Sequence, residues 1–206
     1  MRGRTRRGAG SIGLCWVLAV AAAGCTEAAA DPPPEPPPAT AETSPSPTPT
    51  PTPTPVAPET VKPERPEAMA TVDVDGAVAV ARYFLALYPY VYATGDLEEW
   101  RALSHPECVF CASVVTNVES NAAAGSVTEG GLMSITSLSA MEIDPGLWYS
   151  AVGSLTEGPG TVRDAAGVVV DQRPASSDYD VTFALIYEGA KWQVRELDVV
   201  PSGPKP

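Results

Sequence analysis

One histidine, His105, stands in the whole chain. A metal centre built on imidazoles needs more than that, and so does a hydrolytic site, whose histidine must face a nucleophile and be oriented by a carboxylate. Cysteine is nearly as scarce. Of four, Cys15 lies in an apolar run, Cys25 follows that run, and only Cys108 and Cys111 remain. Two thiols and His105 fall short of the four ligands of a structural zinc site, so no metal is expected. Positive charge is short as well: 13 Lys and Arg face 25 Asp and Glu, for a formal net charge of −12. Residues 68–201 hold 18 acids and 6 bases. Without a basic patch, neither nucleic acid nor an anionic bilayer surface is a favoured partner. Long apolar runs are missing too. The run Ile12 to Ala23 would span ~18 Å as a helix, against a bilayer core of ~30 Å, which argues against a permanent membrane span.

What the chain has in excess is proline. Fifteen of its 23 prolines lie between Pro32 and Pro66, and six Ser-Pro or Thr-Pro pairs run from Ser44 to Pro55. Proline fixes φ and cannot donate a hydrogen bond, so residues 25–66 are expected to form a disordered, extended tether of polyproline II character. At ~3.1 Å per residue, forty such residues reach roughly 120 Å. Thr48, Thr50, Thr52 and Thr54 are candidates for O-glycosylation.

The first 24 residues carry Arg2, Arg4, Arg6 and Arg7 and no acid, then the short apolar run, then Ala21-Ala22-Ala23-Gly24 before Cys25. A basic head, a short apolar stretch and small residues at a cleavage point make a secretory signal peptide. The segment Ala22-Ala23-Gly24-Cys25 resembles the lipobox of bacterial lipoproteins. The resemblance implies a thioether-linked diacylglycerol on Cys25, palmitate among its acyl chains, and anchorage on the extracytoplasmic face of the cell membrane. Each buried CH₂ of such chains contributes about 0.8 kcal/mol. Ordinary secretion, with cleavage after Ala28-Ala29-Ala30, is the alternative. Arg6-Arg7 raises the twin-arginine route, but Gly8-Ala9-Gly10 supplies no apolar pair after it, and ordinary export is expected.

Residues 67–201 have the size of one domain, and 202–206 form a tail. From Asp73 to Thr94, Ala77, Val80, Phe84, Leu87 and Val91 recur at steps of three and four, with Ala81, Tyr88 and Tyr92 widening the stripe, which predicts a helix. Pro89 predicts a kink or an early end. Gly95 suits the position after the helix, and Asp96 with Glu99 suggests a capping box for a short helix through Leu103. A third helix is expected from Pro106, with Cys108, Cys111, Val115, Val118 and Ala122 on one face and Gly125 ending it. The period then becomes two. Residues 132–143 and 147–156 read as strands joined by Asp144-Pro145-Gly146. Tyr179 to Glu188 alternates clearly, and Gly189-Ala190 turns it into Lys191 to Val200. Helices first and a strand meander afterwards give an α+β domain: N-terminal helices packed on a curved antiparallel sheet.

Ala93-Thr94-Gly95-Asp96, Leu103-Ser104, Pro106, Cys108 and Cys111, with Glu129-Gly130-Gly131 and Lys191-Trp192-Gln193-Val194, resemble a family of uncharacterised domains on actinobacterial-type lipoproteins. The resemblance covers about residues 66–200. The element order is also similar to the cone-shaped nuclear-transport-factor-2-like superfamily, with its SnoaL-like and limonene-epoxide-hydrolase-like enzymes. That likeness implies a curved sheet around an apolar pocket and carries no activity across.

Cys108-Val109-Phe110-Cys111 reads as a redox pair, half a zinc site or a structural disulfide. Outside the cytoplasm a buried pair three residues apart oxidises and stays so, which selects the disulfide. His105 reads as a capping or surface residue. Asp73-Val74-Asp75-Gly76 lacks the later acids of a calcium loop and reads as an acidic helix start. Gly158-Pro159-Gly160 is a turn. Trp100, Trp148, Tyr149 and Trp192 read as core. No cofactor is implied and no catalytic set stands out. The leading reading is a non-catalytic, membrane-anchored module that binds a small ligand or an envelope protein. A pocket hydrolase or isomerase using Glu196 or Asp198 beside Tyr92 and Trp148, and a ligand-free scaffold, are the alternatives.

Overall fold

The first helix, α1 (Val74–Thr94), begins where Asp73 accepts a hydrogen bond from the Gly76 amide at 2.8 Å. That bond, with one from the Thr71 hydroxyl, holds the Asp73 carboxyl below its usual range. The computed structural model describes residues 57–203. The expected signal peptide, Cys25, the tether up to residue 56 and the last three residues of the tail lie outside them.

All of the expected α1 stripe except Tyr88 and Tyr92 is fully buried. Tyr83 and Tyr90, on the other side, are buried as well, where residues 57–72 and the next helix pack on α1. Pro89 does not end α1, which runs on to Gly95 (φ 75°), whose amide bonds to the Val91 carbonyl at 2.9 Å. The second helix, α2 (Glu98–Leu103), lacks the expected capping box. Asp96 does accept from the Glu98 amide at 3.1 Å, but Glu99 is drawn away by Arg65 at 2.9 Å and by the Tyr83 hydroxyl. The third helix, α3 (Val109–Ala123), starts after Pro106, which lies in a turn closed by the Cys108 amide on the His105 carbonyl. Starting there, α3 buries Cys111, Val114 and Val118, whereas Val115 is half-buried and Ala122 is exposed. The inward line therefore passes through Val114 and not Val115.

Seven strands follow: β1 (Val127–Gly130), β2 (Met133–Asp144), β3 (Trp148–Glu157), β4 (Gly160–Arg163), β5 (Val169–Arg173), β6 (Ser177–Glu188) and β7 (Lys191–Pro201). The large antiparallel sheet has the order β2-β3-β6-β7 and contains all four strands expected from the sequence. Register shifts at Ile135/Ser137, Glu142/Asp144 and Ala184/Leu185 mark bulges, which bend and twist strands and so curve the sheet around the helices. Its β6–β7 hairpin turns through Gly189 (φ 60°) and Ala190 (φ 62°), the latter the one non-glycine residue with positive φ among the described residues. Two central residues with positive φ match the right-handed twist of the flanking strands.

A second sheet, β1-β4-β5, was not legible as strands. Its strands span four or five residues, with glycine at the ends of two, so alternation has no room to develop. Gly130 (φ 78°) is required here: a Cβ would meet the Pro159 carbonyl oxygen at 2.5 Å. Residues before the expected start at 67 pack onto the domain. Glu59 is buried and accepts from the Gly130 amide at 2.8 Å, and Lys62 pairs with Asp96 at 3.5 Å.

The core lies between the helices and the concave face of the large sheet. Phe84 stacks on Trp100 at 3.9 Å and meets Phe183 edge-on at 6.4 Å. Tyr149, Leu155, Leu185 and Val194 close it from the sheet. Burying each such side chain contributes ~1.5–3 kcal/mol, most of it offset by conformational entropy. Among the described residues no helix is long and apolar enough to cross a membrane.

Candidate functional site

Two strands end at the seam between the sheets, and they bring two opposite charges together. Glu157 closes β3, just before Gly158-Pro159 carries the chain into the small sheet, and Arg173 closes β5. An Arg173 Nη2 donates to Glu157 Oε1 at 2.5 Å. The Gly131 and Gly160 backbones run beside the Arg173 guanidinium. Glu157 is only 8 % exposed. Burial pushes its carboxyl above the usual range, and the Arg173 guanidinium opposes that rise.

Below the pair lies an inner cavity of about 200 Å³, walled by Phe84, Trp100, Phe110, Leu155, Tyr179 and other mainly apolar side chains. Above it opens a cleft of about 490 Å³ between α1, α3 and the small sheet. Tyr88, Glu157 and Arg173 line both spaces, so the two adjoin at the ion pair. Burial, reinforced by Tyr92, pushes the Tyr88 phenol well above its ordinary value, so it stays a neutral hydroxyl. Amide and hydroxyl side chains line part of the cleft wall: Asn117, Ser120, Asn121, Thr128, Thr161 and Gln172. Two buried side-chain atoms among the described residues lack a hydrogen-bond partner, Thr128 Oγ1 and Arg173 Nε. Both residues line this cleft. Leaving such groups unpaired costs about 1–3 kcal/mol each, a cost that a bound ligand or solvent can remove.

The sequence-nominated residues fall as follows. Cys108 and Cys111 form a disulfide, with both residues buried and their Cα atoms 5.2 Å apart. Cys108 is the cap of α3, and the Cys111 carbonyl accepts from Trp100 Nε1 at 3.2 Å. Phe110, between the two cysteines, forms part of the inner cavity wall. His105 accepts from the Glu107 amide through Nδ1 at 3.1 Å, a local turn contact. Among the described residues no cluster of metal-ligating side chains occurs. Trp100, Tyr149 and Trp192 are core residues, whereas Trp148 is only half-buried. The proposed grouping of Glu196 or Asp198 with Tyr92 and Trp148 is not formed. Glu196 and Asp198 pair with Ala184 and Thr182, which alternate with the buried Phe183 and Leu185, so they lie on the outer face of the sheet with Trp148. Tyr92 lines the cleft on the other side. Glu157, Arg173 and Thr128 were missed because no local motif links them; only the register of the small sheet brings them together.

The sequence pattern of DUF6318, a family of unknown function, spans residues 34–198 of the chain. The chain belongs to this family. No curated protein matches it in sequence. The DUF6318 domain does resemble solved structures. The intermembrane space region of chloroplast protein ARC6 aligns with a TM-score of 0.51 at 13 % identity, over 63 % of this chain and 98 % of that one. At that identity the likeness shows the fold alone. A ketosteroid isomerase-like protein from Erwinia carotovora atroseptica aligns at a TM-score of 0.38 and 15 % identity, over 62 % of this chain and 98 % of that one. An uncharacterized protein with a cystatin-like fold from Caulobacter vibrioides aligns at 0.41 and 12 %, over 61 % and 89 %. At those scores neither likeness carries an argument about this chain.

Proposed function

We propose that this DUF6318 chain is a lipid-anchored, extracytoplasmic binding module whose domain holds a small, partly apolar ligand. The supporting observation is the inner apolar cavity that opens, past the Glu157–Arg173 pair, into a polar cleft containing two unpartnered buried groups. A convergence of apolar walls with a few placed polar groups is the usual form of a ligand site. A filled core, which a pure scaffold would favour, would have left no such space. For the hydrolase or isomerase alternative, Glu157 and Tyr88 share the cavity, but Glu157 is already held by Arg173 and Tyr88 is far from ionising.

Binding is tested with N-phenyl-1-naphthylamine, an uncharged dye that brightens in apolar surroundings. The full chain is expected to bind it saturably. Met133→Trp, which adds bulk to the inner wall, is expected to abolish the signal while near-ultraviolet circular dichroism stays folded. Dye binding that survives this change would place the ligand elsewhere.

Anchoring rests on the basic head, the short apolar run and the lipobox-like Ala22-Ala23-Gly24-Cys25. Palmitate labelling is expected to mark the wild-type chain and not Cys25→Ser. A mature chain that begins near Asp31 and carries no lipid would refute it.

A further inference from the structure

Taking the binding reading as its basis, we propose that the ligand is an amphiphile with an uncharged, oxygen-rich head, such as a glycoside. Its head occupies the outer cleft and its apolar tail or ring the inner cavity.

Size gives the first reason. Small-molecule sites usually enclose ~300–1,000 Å³. The inner cavity, about 200 Å³, falls below that range and is apolar, so it takes only part of a molecule. The outer cleft, about 490 Å³, falls within the range and is lined by polar and apolar groups alike. One ligand spanning the junction at Tyr88 satisfies both.

Charge gives the second. Of the charged residues lining the cleft, Glu157 and Arg173 neutralise each other and Asp171 is exposed to water. An anionic head reaching Arg173 Nε would share the guanidinium with the Glu157 carboxylate and meet Asp171 as well, a like-charge arrangement. A cationic head would meet the guanidinium itself at the junction. An uncharged head meets neither cost.

Hydrogen bonding gives the third. Arg173 Nε–H is a donor without an acceptor, and the Thr128 hydroxyl can both donate and accept. Asn117, Asn121 and Gln172 add amides with both kinds of group. A head carrying several hydroxyl and ether oxygens matches this mixture, whereas a simple carbonyl would use one donor and leave the rest.

The experiment is competition against the bound dye in the full chain, each competitor kept below its micellar concentration. Octyl glucoside is expected to displace the dye at concentrations at least tenfold lower than octanoate or octyltrimethylammonium. Glucose alone is expected to displace none. Thr128→Val is expected to weaken octyl glucoside about tenfold and to weaken the dye much less. Gln172→Ala, an exposed position that does not threaten folding, is expected to weaken it by a smaller factor. Octanoate or the cation competing as well as the glucoside overturns the head assignment while the cavity reading stands. Failure of the dye to bind a folded chain overturns the cavity reading and this inference with it.

Discussion

Replacing Arg173 with methionine keeps the side-chain stem and removes the charge that faces Glu157. The carboxylate is then left 8 % exposed with no cation, at the end of a strand it cannot leave. Breaking a fully buried pair costs about 3–5 kcal/mol. The Arg173 side chain is 39 % exposed, so solvent screens part of the attraction, and the discounted loss is about 1–2 kcal/mol. For a domain of this size that corresponds to a fall in melting temperature of roughly 2–8 °C. The sign with pH follows from the carboxyl. Burial already raises Glu157, and Arg173 is the influence holding it down, so the variant raises it further. A raised carboxyl is destabilising where it must be ionised, and the penalty is relieved as pH falls through its folded pKa. Thermal unfolding of Arg173→Met against wild type is therefore expected to show the full loss at pH 8 and a much smaller one near pH 4.5. Glu157→Gln added to Arg173→Met is expected to recover most of the loss at pH 8. A loss independent of pH, or no recovery in the double variant, would refute the account of the pair.

Other consequences can be checked singly. The oxidised native protein is expected to show no thiol reactive to alkylation at Cys108 or Cys111 before reductant. Changing both cysteines to serine is expected to lower stability by about 2 kcal/mol in denaturant unfolding, the modest effect of so short a loop. Ala190→Gly is expected to stabilise by up to ~1 kcal/mol in the same assay, because the left-handed conformation that strains alanine suits glycine, less glycine's greater entropy when unfolded. A destabilised Ala190→Gly would show that the alanine methyl contributes contacts outweighing its strain.

The α+β order was legible because its signals are local and long. Six of the eight stripe residues of α1 are buried, and the Tyr179 to Tyr187 alternation is the inner and outer face of β6. The errors fell where neighbours compete. Glu99 caps nothing because Arg65, from a segment taken for tether, reaches it first. Pro106 could open a helix, but the disulfide and the His105 turn place the start at Val109. The small sheet, and with it the seam that joins Glu157 to Arg173, depends on pairing between strands too short to show a period. The candidate site was invisible in sequence for that reason: its two unpartnered groups, on Thr128 and Arg173, are 45 positions apart and are brought together by the ladders of the small sheet.

Phe110 sits inside the four-residue ring that the Cys108–Cys111 bond closes, and it is also part of the inner cavity wall. Oxidation therefore does more than staple a helix start; it also constrains a piece of the cavity wall. Such bonds form in oxidising compartments and are rare where thiols are kept reduced. A chain still in a reducing cytoplasm has the sheet and the helices but a less constrained wall around Phe110. On the proposed reading of the cavity as a ligand site, protein prepared in a reducing host is expected to bind the dye more weakly than the oxidised chain.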